Sequence, residues 1–230
     1  MKAMILAAGL GMRMRPLTLT QPKPLIPVLD KPLIVWHLEK LAATGIRDVV
    51  INHAWLGEKI EAYLGTGQAW GLNLEYSAES EPLETGGGIL KALPKLVEQE
   101  EECFFLVNAD VWSDFDYSRF LRKPLLPEDL GCLVMVENPD WHRQGDFRMD
   151  ERGRLHPEQG RALTYSGISL LRASLWTGQV PGVFPLAPIL RQAIAADRLV
   201  AEVHTGHWSD VGTLERLTQL EQQVRQEVLL

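Results

Sequence analysis

The sequence predicts an α/β protein built on a largely parallel sheet. Three observations carry this expectation. A short apolar run ends in a glycine turn, such runs alternate with helix-patterned segments from residue 2 to residue 108, and an amphipathic segment closes the chain. Parallel strands are covered on both faces, so they read as continuous apolar runs. KAMILAA (2–8) fits a buried first strand. A helix is expected from Pro32 with Asp30 as its N-cap; Ile34, Leu38, Leu41 and Ala42 share one face, and Gly45 stands where it should stop. Val49–Ile51 read as the next strand and Glu58–Leu64 as a second helix, while Leu72, Leu74 and Tyr76 alternate like a half-buried strand. Gly86–Gly88 read as a turn entering a helix that runs to about Val97, and Phe104–Val107 as another buried strand.

The second half is less regular. Leu133–Val136, Ile168–Leu171 and Val200–Val203 read as strands and Ala187–Ala196 as a helix. Leu214, Leu217, Leu220 and Val224 mark one face of the closing helix. The polar stretch Asp140–Gly160 is expected to be a loop or small flap over a site, and Pro181–Pro188 a turn-rich surface segment packing over one side of it. With 230 residues and no repeat or linker, a single domain spanning 1–230 is expected.

Composition narrows the partners. The 30 acidic and 23 basic residues give a net charge of −7 without a Lys/Arg cluster, which argues against nucleic acid. The longest uncharged segment, Ala173–Leu190, is broken by prolines and Gly182, which argues against a membrane helix. The apolar run at the amino terminus is too short for a signal peptide, so a cytoplasmic protein is expected. Cys103 and Cys132 lie in strand-like stretches and read as reduced core thiols. No protein partner is implied.

The chemistry gathers around LAAGLGMRMRP (6–16). A glycine loop after a first strand exposes backbone N–H groups and lets phosphate approach, and Arg13 and Arg15 add charge. The segment is neither a Walker loop, which needs GxxxxGK[ST], nor a dinucleotide fingerprint, because Arg15–Pro16 occupies the place of the third glycine. Alone, a GxG turn specifies only a tight turn. Lys23, between Pro22 and Pro24, is held by rigid backbone and reads as a third cation aimed at the same phosphates. Asp110 follows a buried strand, at the edge where open α/β sheets bind ligands. Asp210 precedes the last helix and also suits a turn or cap. Two carboxylates meeting near phosphate are the usual way to hold Mg²⁺.

LAAGxGxRMRP, the PKP that follows, an aspartate after a buried strand and W-x-D-x-G together resemble the sugar-phosphate nucleotidyltransferases over nearly the whole chain. VINHAWLG (50–57), EPLETGGGI (81–89), LVNADVW (106–112), GDFR (145–148), SGISLL (166–171) and HWSDVGTLERL (207–217) resemble most the branch that couples UTP to an N-acetylmuramic-acid-type sugar 1-phosphate in cell-wall recycling. The resemblance implies a Rossmann-like three-layer α/β/α fold with a mixed, mostly parallel central sheet. It implies residues 1–110 as the nucleotide half and 111–230 as the sugar-phosphate half. It implies Arg13, Lys23 and Asp110 as catalytic residues, with Ala8, Gly9, Gly11, Met12, Arg13, Lys23, Ser80, Thr85 and Gly86 around the nucleotide. Asn108, Asp146 and Ser166 would meet the sugar phosphate, and Asp110 and Asp210 would hold Mg²⁺. Met12 departs from the usual Ser or Thr, and Ala109 from a frequent Gly. The EKP motif that supplies a sugar-phosphate lysine in many relatives is missing, which leaves Arg143 or Arg148 as substitutes. The alternatives are another hexose or heptose 1-phosphate guanylyl- or thymidylyltransferase, or a nucleotide-binding regulatory protein without catalysis.

Overall fold

The computed structural model describes residues 1–228. The glycine loop follows β1 (Ala3–Leu6), and a small hairpin of β2 (Pro27–Val28) and β3 (Lys31–Pro32) leads into α1 (Leu33–Ala43). Then come β4 (Asp48–His53), α2 (Gly57–Leu64), β5 (Asn73–Ala78), α3 (Glu84–Leu96), β6 (Cys103–Asn108) and β7 (Val111–Ser113). The second half runs α4 (Ser118–Arg122), β8 (Gly131–Val136), β9 (Phe147–Met149), β10 (Leu155–His156), β11 (Arg161–Arg172), α5 (Ala187–Ala195), β12 (Leu199–Val203), β13 (Trp208–Asp210) and α6 (Leu214–Val228).

The central sheet has the order β12-β8-β11-β6-β1-β4-β5. Only β11 runs against the other strands of this path. β9 and β10 continue antiparallel from the first residues of β11. The strands alternate their side chains between two cores, as a period of two requires. Ala3, Ile5, Val49, Ile51, Phe105 and Val107 meet Ile34, Leu38 and Leu41 of α1 on one face. Met4, Val50, Phe104 and Leu106 meet Ile89 of α3 and Ile189 and Leu190 of α5 on the other. The result is the expected three-layer α/β/α arrangement. Each of the fully buried Ile34, Leu38 and Leu41 contributes about 2 kcal/mol through area removed from water.

A third cluster positions the chemistry. Met14, Ile26, Val28, Leu33, Trp112, Val211, Leu220 and Val224 pack together. They tie the turn after the glycine loop to the β2–β3 hairpin, the β7–β13 pair and α6. Two polar residues of α1 then fix β7. His37 donates from Nε2 to the Val111 carbonyl at 2.8 Å, which leaves Nδ1 to accept from the Tyr117 hydroxyl at 2.7 Å. Lys40, its pKa lowered to about 8 by burial, donates to the Ser113 carbonyl.

Burial, reinforced by nearby Lys40, lowers the His37 pKa from 6.5 to about 4. An unfolded chain therefore takes up a proton below about 6.5 that the folded chain refuses until about 4. The stabilisation is complete above 6.5 and is lost as pH falls toward 4. Urea unfolding should show about 2 kcal/mol less stability at pH 5 than at pH 7 from this group. His37→Leu should be less stable at both values but lose that slope, and an unchanged slope would assign the pH dependence elsewhere.

Several local expectations need correction. Gly86–Gly88 are not a turn: they lie inside α3. Pro32 belongs to the hairpin, α1 starts at Leu33, and Asp30 lies in the hairpin turn rather than at the cap. Asp210 ends a strand of its own, β13, which pairs with β7 instead of continuing the main sheet. Residues 182–185 pack on α3, not over the sugar side: Gly87 N donates to the Phe184 carbonyl at 3.0 Å. Leu214 is exposed, so only Leu217, Leu220 and Val224 keep the buried face of α6. Cys103 and Cys132 are free and partly buried, and burial pushes the Cys132 thiol up to about 12.

Candidate active site

The strand order β5-β4-β1-β6 reverses direction of travel at β1, and ligands of open α/β sheets bind at the carboxyl ends beside such a point. A cavity of about 320 Å³ opens there, lined by Leu6–Leu10, Lys23, Pro24, Asn52, Pro82, Glu84, Thr85, Asn108, Ala109 and Asp110. A β-carbon on Gly9 would meet nothing within 4 Å, so the loop faces open space. Gly11 has φ +61°, and a β-carbon there would press to 2.8 Å from Thr18 Cγ2. Only glycine fits both demands.

The loop is fixed by a buried polar chain. Ala7 N donates to Asn52 Oδ1 at 3.0 Å, Asn52 Nδ2 donates to Glu79 Oε1 at 2.7 Å, and Glu79 Oε2 accepts from Leu83 N at 2.9 Å. This chain couples the glycine loop to the segment that brings Glu84 and Thr85 to the opposite wall. Gly88 makes room for it, since a β-carbon there would lie 2.6 Å from Glu79 Oε1 and 2.8 Å from Asn52 Nδ2. The three glycines of α3 are thus packing residues. Gly86 is buried against Phe184, and Trp176 Nε1 donates to its carbonyl at 3.2 Å.

A second cavity of about 380 Å³ adjoins the first and shares Asn108 and Asp110 with it. Its other walls include Arg13, Trp141, Asp146, Ser166, Gly167, Trp208, Asp210 and Arg216. Lys23 is 8% exposed, and its Nζ lies 2.7 Å from Asp110 Oδ2. Pairing of β7 with β13 sets Asp210 opposite Val111, and Val211 N donates to the Asp110 carbonyl at 2.8 Å. This pairing brings the two aspartates, a hundred residues apart in sequence, to one chamber. Asp146 Oδ2 accepts from Tyr165 N at 2.8 Å, which fastens the flap to β11. Ser166 is buried; its Oγ accepts from Ile168 N at 3.2 Å and its carbonyl from Trp208 Nε1 at 2.8 Å.

Most predicted residues therefore converge. Ala8, Gly9, Lys23 and Thr85 line the first cavity. Arg13, Asp146, Ser166 and Asp210 line the second, and Asn108 and Asp110 line both. Thr85 Oγ1 also accepts from Leu186 N at 2.9 Å. Gly11 shapes the loop without lining either cavity; Met12 and Ser80 are exposed outside both linings, as is Arg15. Neither substitute for the missing lysine reaches the second chamber. Arg143 pairs with Asp140 at the surface, and Arg148 faces another cavity beside His156 and Arg191. Asn52, Glu79, Trp141, Gly167 and Arg216 were missed. Asn52 lies in VINHAWLG and Arg216 in HWSDVGTLERL, but an amide or a helix arginine carries no spacing signal of its own.

A glycine loop, a buried lysine and two chambers meeting at an aspartate define an α/β protein with paired ligand-sized cavities at the carboxyl edge of its sheet. Residues 2–155 match the nucleotidyl transferase family. An N-acetylmuramate alpha-1-phosphate uridylyltransferase from Neisseria meningitidis is 48% identical over 223 residues, 94% of this chain and 95% of that protein. A mannose-1-phosphate guanyltransferase from Hypocrea jecorina is 39% identical over 60% of this chain and 39% of its own length. One from Yarrowia lipolytica is 32% identical over 92% of this chain and 61% of its own length. The chain belongs to the nucleotidyl transferase family. The fold recurs in a Bacillus anthracis protein assigned as a glucose-1-phosphate thymidylyltransferase and solved with sucrose, at TM-score 0.86, 20% identity, and coverage of 97% of this chain and 95% of that one. It recurs also in HddC from Yersinia pseudotuberculosis, solved with GMP-PN, at TM-score 0.79, 23% identity, and coverage of 97% and 99%.

Proposed function

We propose that this chain joins UTP and N-acetylmuramic acid α-1-phosphate to give UDP-N-acetylmuramic acid and pyrophosphate, in cytoplasmic peptidoglycan recycling. The observation that carries this reading is the pair of cavities meeting at Asn108 and Asp110. The first is built wholly from residues 6–110, and apart from Arg13, Asn108 and Asp110 the second is built from later residues. That division supports one domain with a nucleotide half, 1–110, and a sugar-phosphate half, 111–230. The choice of base and sugar is supported by the likeness to the Neisseria protein, which extends over nearly both full lengths at 48% identity. Among the described residues no helix is long and apolar enough to cross a membrane.

The reaction is an in-line displacement. An oxygen of the sugar 1-phosphate attacks the α-phosphorus of the triphosphate, the new P–O bond forms, and the bond to the β-phosphate oxygen breaks. The attacking phosphate is already ionised, so no general base is required. Positioning and charge neutralisation do the work. The glycine loop admits the triphosphate, and Lys23 and Arg13 answer the charge that builds on the phosphoryl oxygens. Among the described residues no three His, Cys, Asp or Glu side chains gather as a metal site. Asp110 and Asp210 nonetheless bring two carboxylates to one chamber, where they pair with Lys23 and Arg216. That suits Mg²⁺, which takes one or two carboxylates and leaves other positions to water and phosphate. When bound, the ion supplies positive charge at the transferring phosphoryl group.

The test is pyrophosphate release in Mg²⁺, with UTP, dTTP, GTP, ATP and CTP scanned against sugar 1-phosphates that include N-acetylmuramic acid 1-phosphate. Release that needs both UTP and that sugar is expected. A productive GTP and mannose 1-phosphate pair would keep the chemistry and replace the substrates, and silence from folded enzyme across the panel would overturn the reading.

A further inference from the structure

The second chamber has few cations to offer an anionic ligand. Its basic lining residues are Arg13, His142 and Arg216, and His142 Nε2 is engaged by Asp146 Oδ1 at 3.0 Å. Two guanidiniums remain, and they converge on Gly212. A β-carbon at that glycine would lie 2.9 Å from Arg216 Nη1, 3.1 Å from Asp210 Oδ2 and 3.2 Å from Arg13 Nη2. Arg216 Nη1 reaches both Asp210 oxygens at 2.5 Å, and among the described residues Arg13 has no ion-pair partner. Arg216 is thus ion-paired to Asp210, while Arg13 keeps its charge toward the chamber.

Arg216 is held more tightly than an ion pair alone requires. Its guanidinium lies 4.1 Å from the centre of the Trp141 ring, and its side chain is only 14% exposed. Contact with the ring face restrains the guanidinium where a phosphate would arrive, and a lysine offers no planar group for such a contact. A planar fork presented to a phosphate can form parallel charge-assisted hydrogen bonds. Trp141 stands on the flap (140–142) and Arg216 on α6, so the contact also closes the chamber between the two.

We infer that Arg216, with Arg13, binds the 1-phosphate of the sugar substrate and supplies the cation that the absent EKP lysine would otherwise provide. This rests on the reaction proposed above. The test compares wild type with Arg216→Met and Arg216→Lys. Initial rates are measured with each substrate varied in turn, and sugar-phosphate binding is measured by calorimetry in the presence of an α,β-methylene nucleotide. Loss of a charge-assisted bond should raise the sugar-phosphate KM and Kd of Arg216→Met about 20-fold or more, with the nucleotide KM within about twofold. Arg216→Lys, which keeps the charge and loses the fork and the stacking, should fall between and decides the matter if the Met variant fails to fold. Inorganic phosphate, used as a competitor of the sugar phosphate, should weaken by a similar factor.

A structural role for Arg216 would move both KM values together or neither, and either result overturns the inference. So does weakened N-acetylmuramic acid 1-phosphate binding with unchanged inhibition by inorganic phosphate, which would assign Arg216 to the lactyl carboxylate. A wild type silent across the whole substrate panel would instead overturn the reaction. An active wild type whose Arg216→Met variant binds sugar phosphate normally would overturn this inference alone.

Discussion

Replacing Asp110 by Asn should reduce pyrophosphate release about a thousandfold or more while leaving a folded protein. The reasoning starts from where the carboxylate stands. Asp110 is the residue before β7, it lines both cavities, and its side chain is 40% exposed, open to ligands on the side away from Lys23. A carboxylate that helps neutralise a transferring phosphoryl group through a bound cation accounts for roughly 4 kcal/mol of barrier, which is the thousandfold effect. Asparagine keeps the volume and the backbone but removes the charge. The same change leaves the buried Lys23 ammonium facing a neutral amide. Breaking a fully buried pair costs about 3–5 kcal/mol, and the exposure of Asp110 lowers that to about 2 kcal/mol. Rates by pyrophosphate release and stability by urea unfolding separate the two effects. In Lys23→Met/Asp110→Asn the stability cost of the unpaired ammonium should be relieved while activity stays lost. Near-normal turnover by Asp110→Asn would remove Asp110 from the active site.

The sequence carried the fold because its strands are continuous apolar runs and its first helices carry clean spacing. Ile34, Leu38 and Leu41 are all fully buried, as their positions on one face require. It carried the first cavity for a related reason: the glycine loop, the proline-flanked Lys23 and the strand-end Asp110 are local patterns. What failed was long-range. Gly86–Gly88 look like a turn by composition, but they lie inside α3 and are glycine because Phe184, Gly182 and the Asn52–Glu79 pair leave no room for side chains. Nothing local in Asp210 says that β13 pairs with β7, and that pairing alone brings it to the chamber of Asp110. Arg216 reads as an ordinary helix arginine until the flap supplies Trp141, seventy-five residues earlier, as its stacking partner.

A single added carbon at Gly167 is expected to reach both substrates at once. This residue has φ +80°, and β11 shifts its register with β8 between Tyr165 and Ser169, a local bulge. A β-carbon there would lie 2.8 Å from Asn108 Nδ2, 2.9 Å from Cγ and 3.1 Å from Cβ. The near atoms include the root of the asparagine side chain, so rotation of its amide does not relieve the clash. Asn108 lines both cavities, and its displacement should be felt by both substrates. Gly167→Ala should lose about 3 kcal/mol of stability, part from positive φ and part from the collision. A shift of about 1 Å at the junction of the two substrates should cost about a hundredfold in kcat/KM. Gly178 supplies the control. Its φ is +81°, a β-carbon there meets nothing within 4 Å, and it lines neither cavity. Gly178→Ala should lose only the backbone part, about 1–2 kcal/mol, with both KM values and kcat unchanged. If the two variants lose equal stability and both retain wild-type kinetics, the close approach of Gly167 to Asn108 plays no part in placing the substrates. If Gly167→Ala alone loses kcat/KM for both, the bulge in β11 is what holds Asn108 at the point where the two chambers meet.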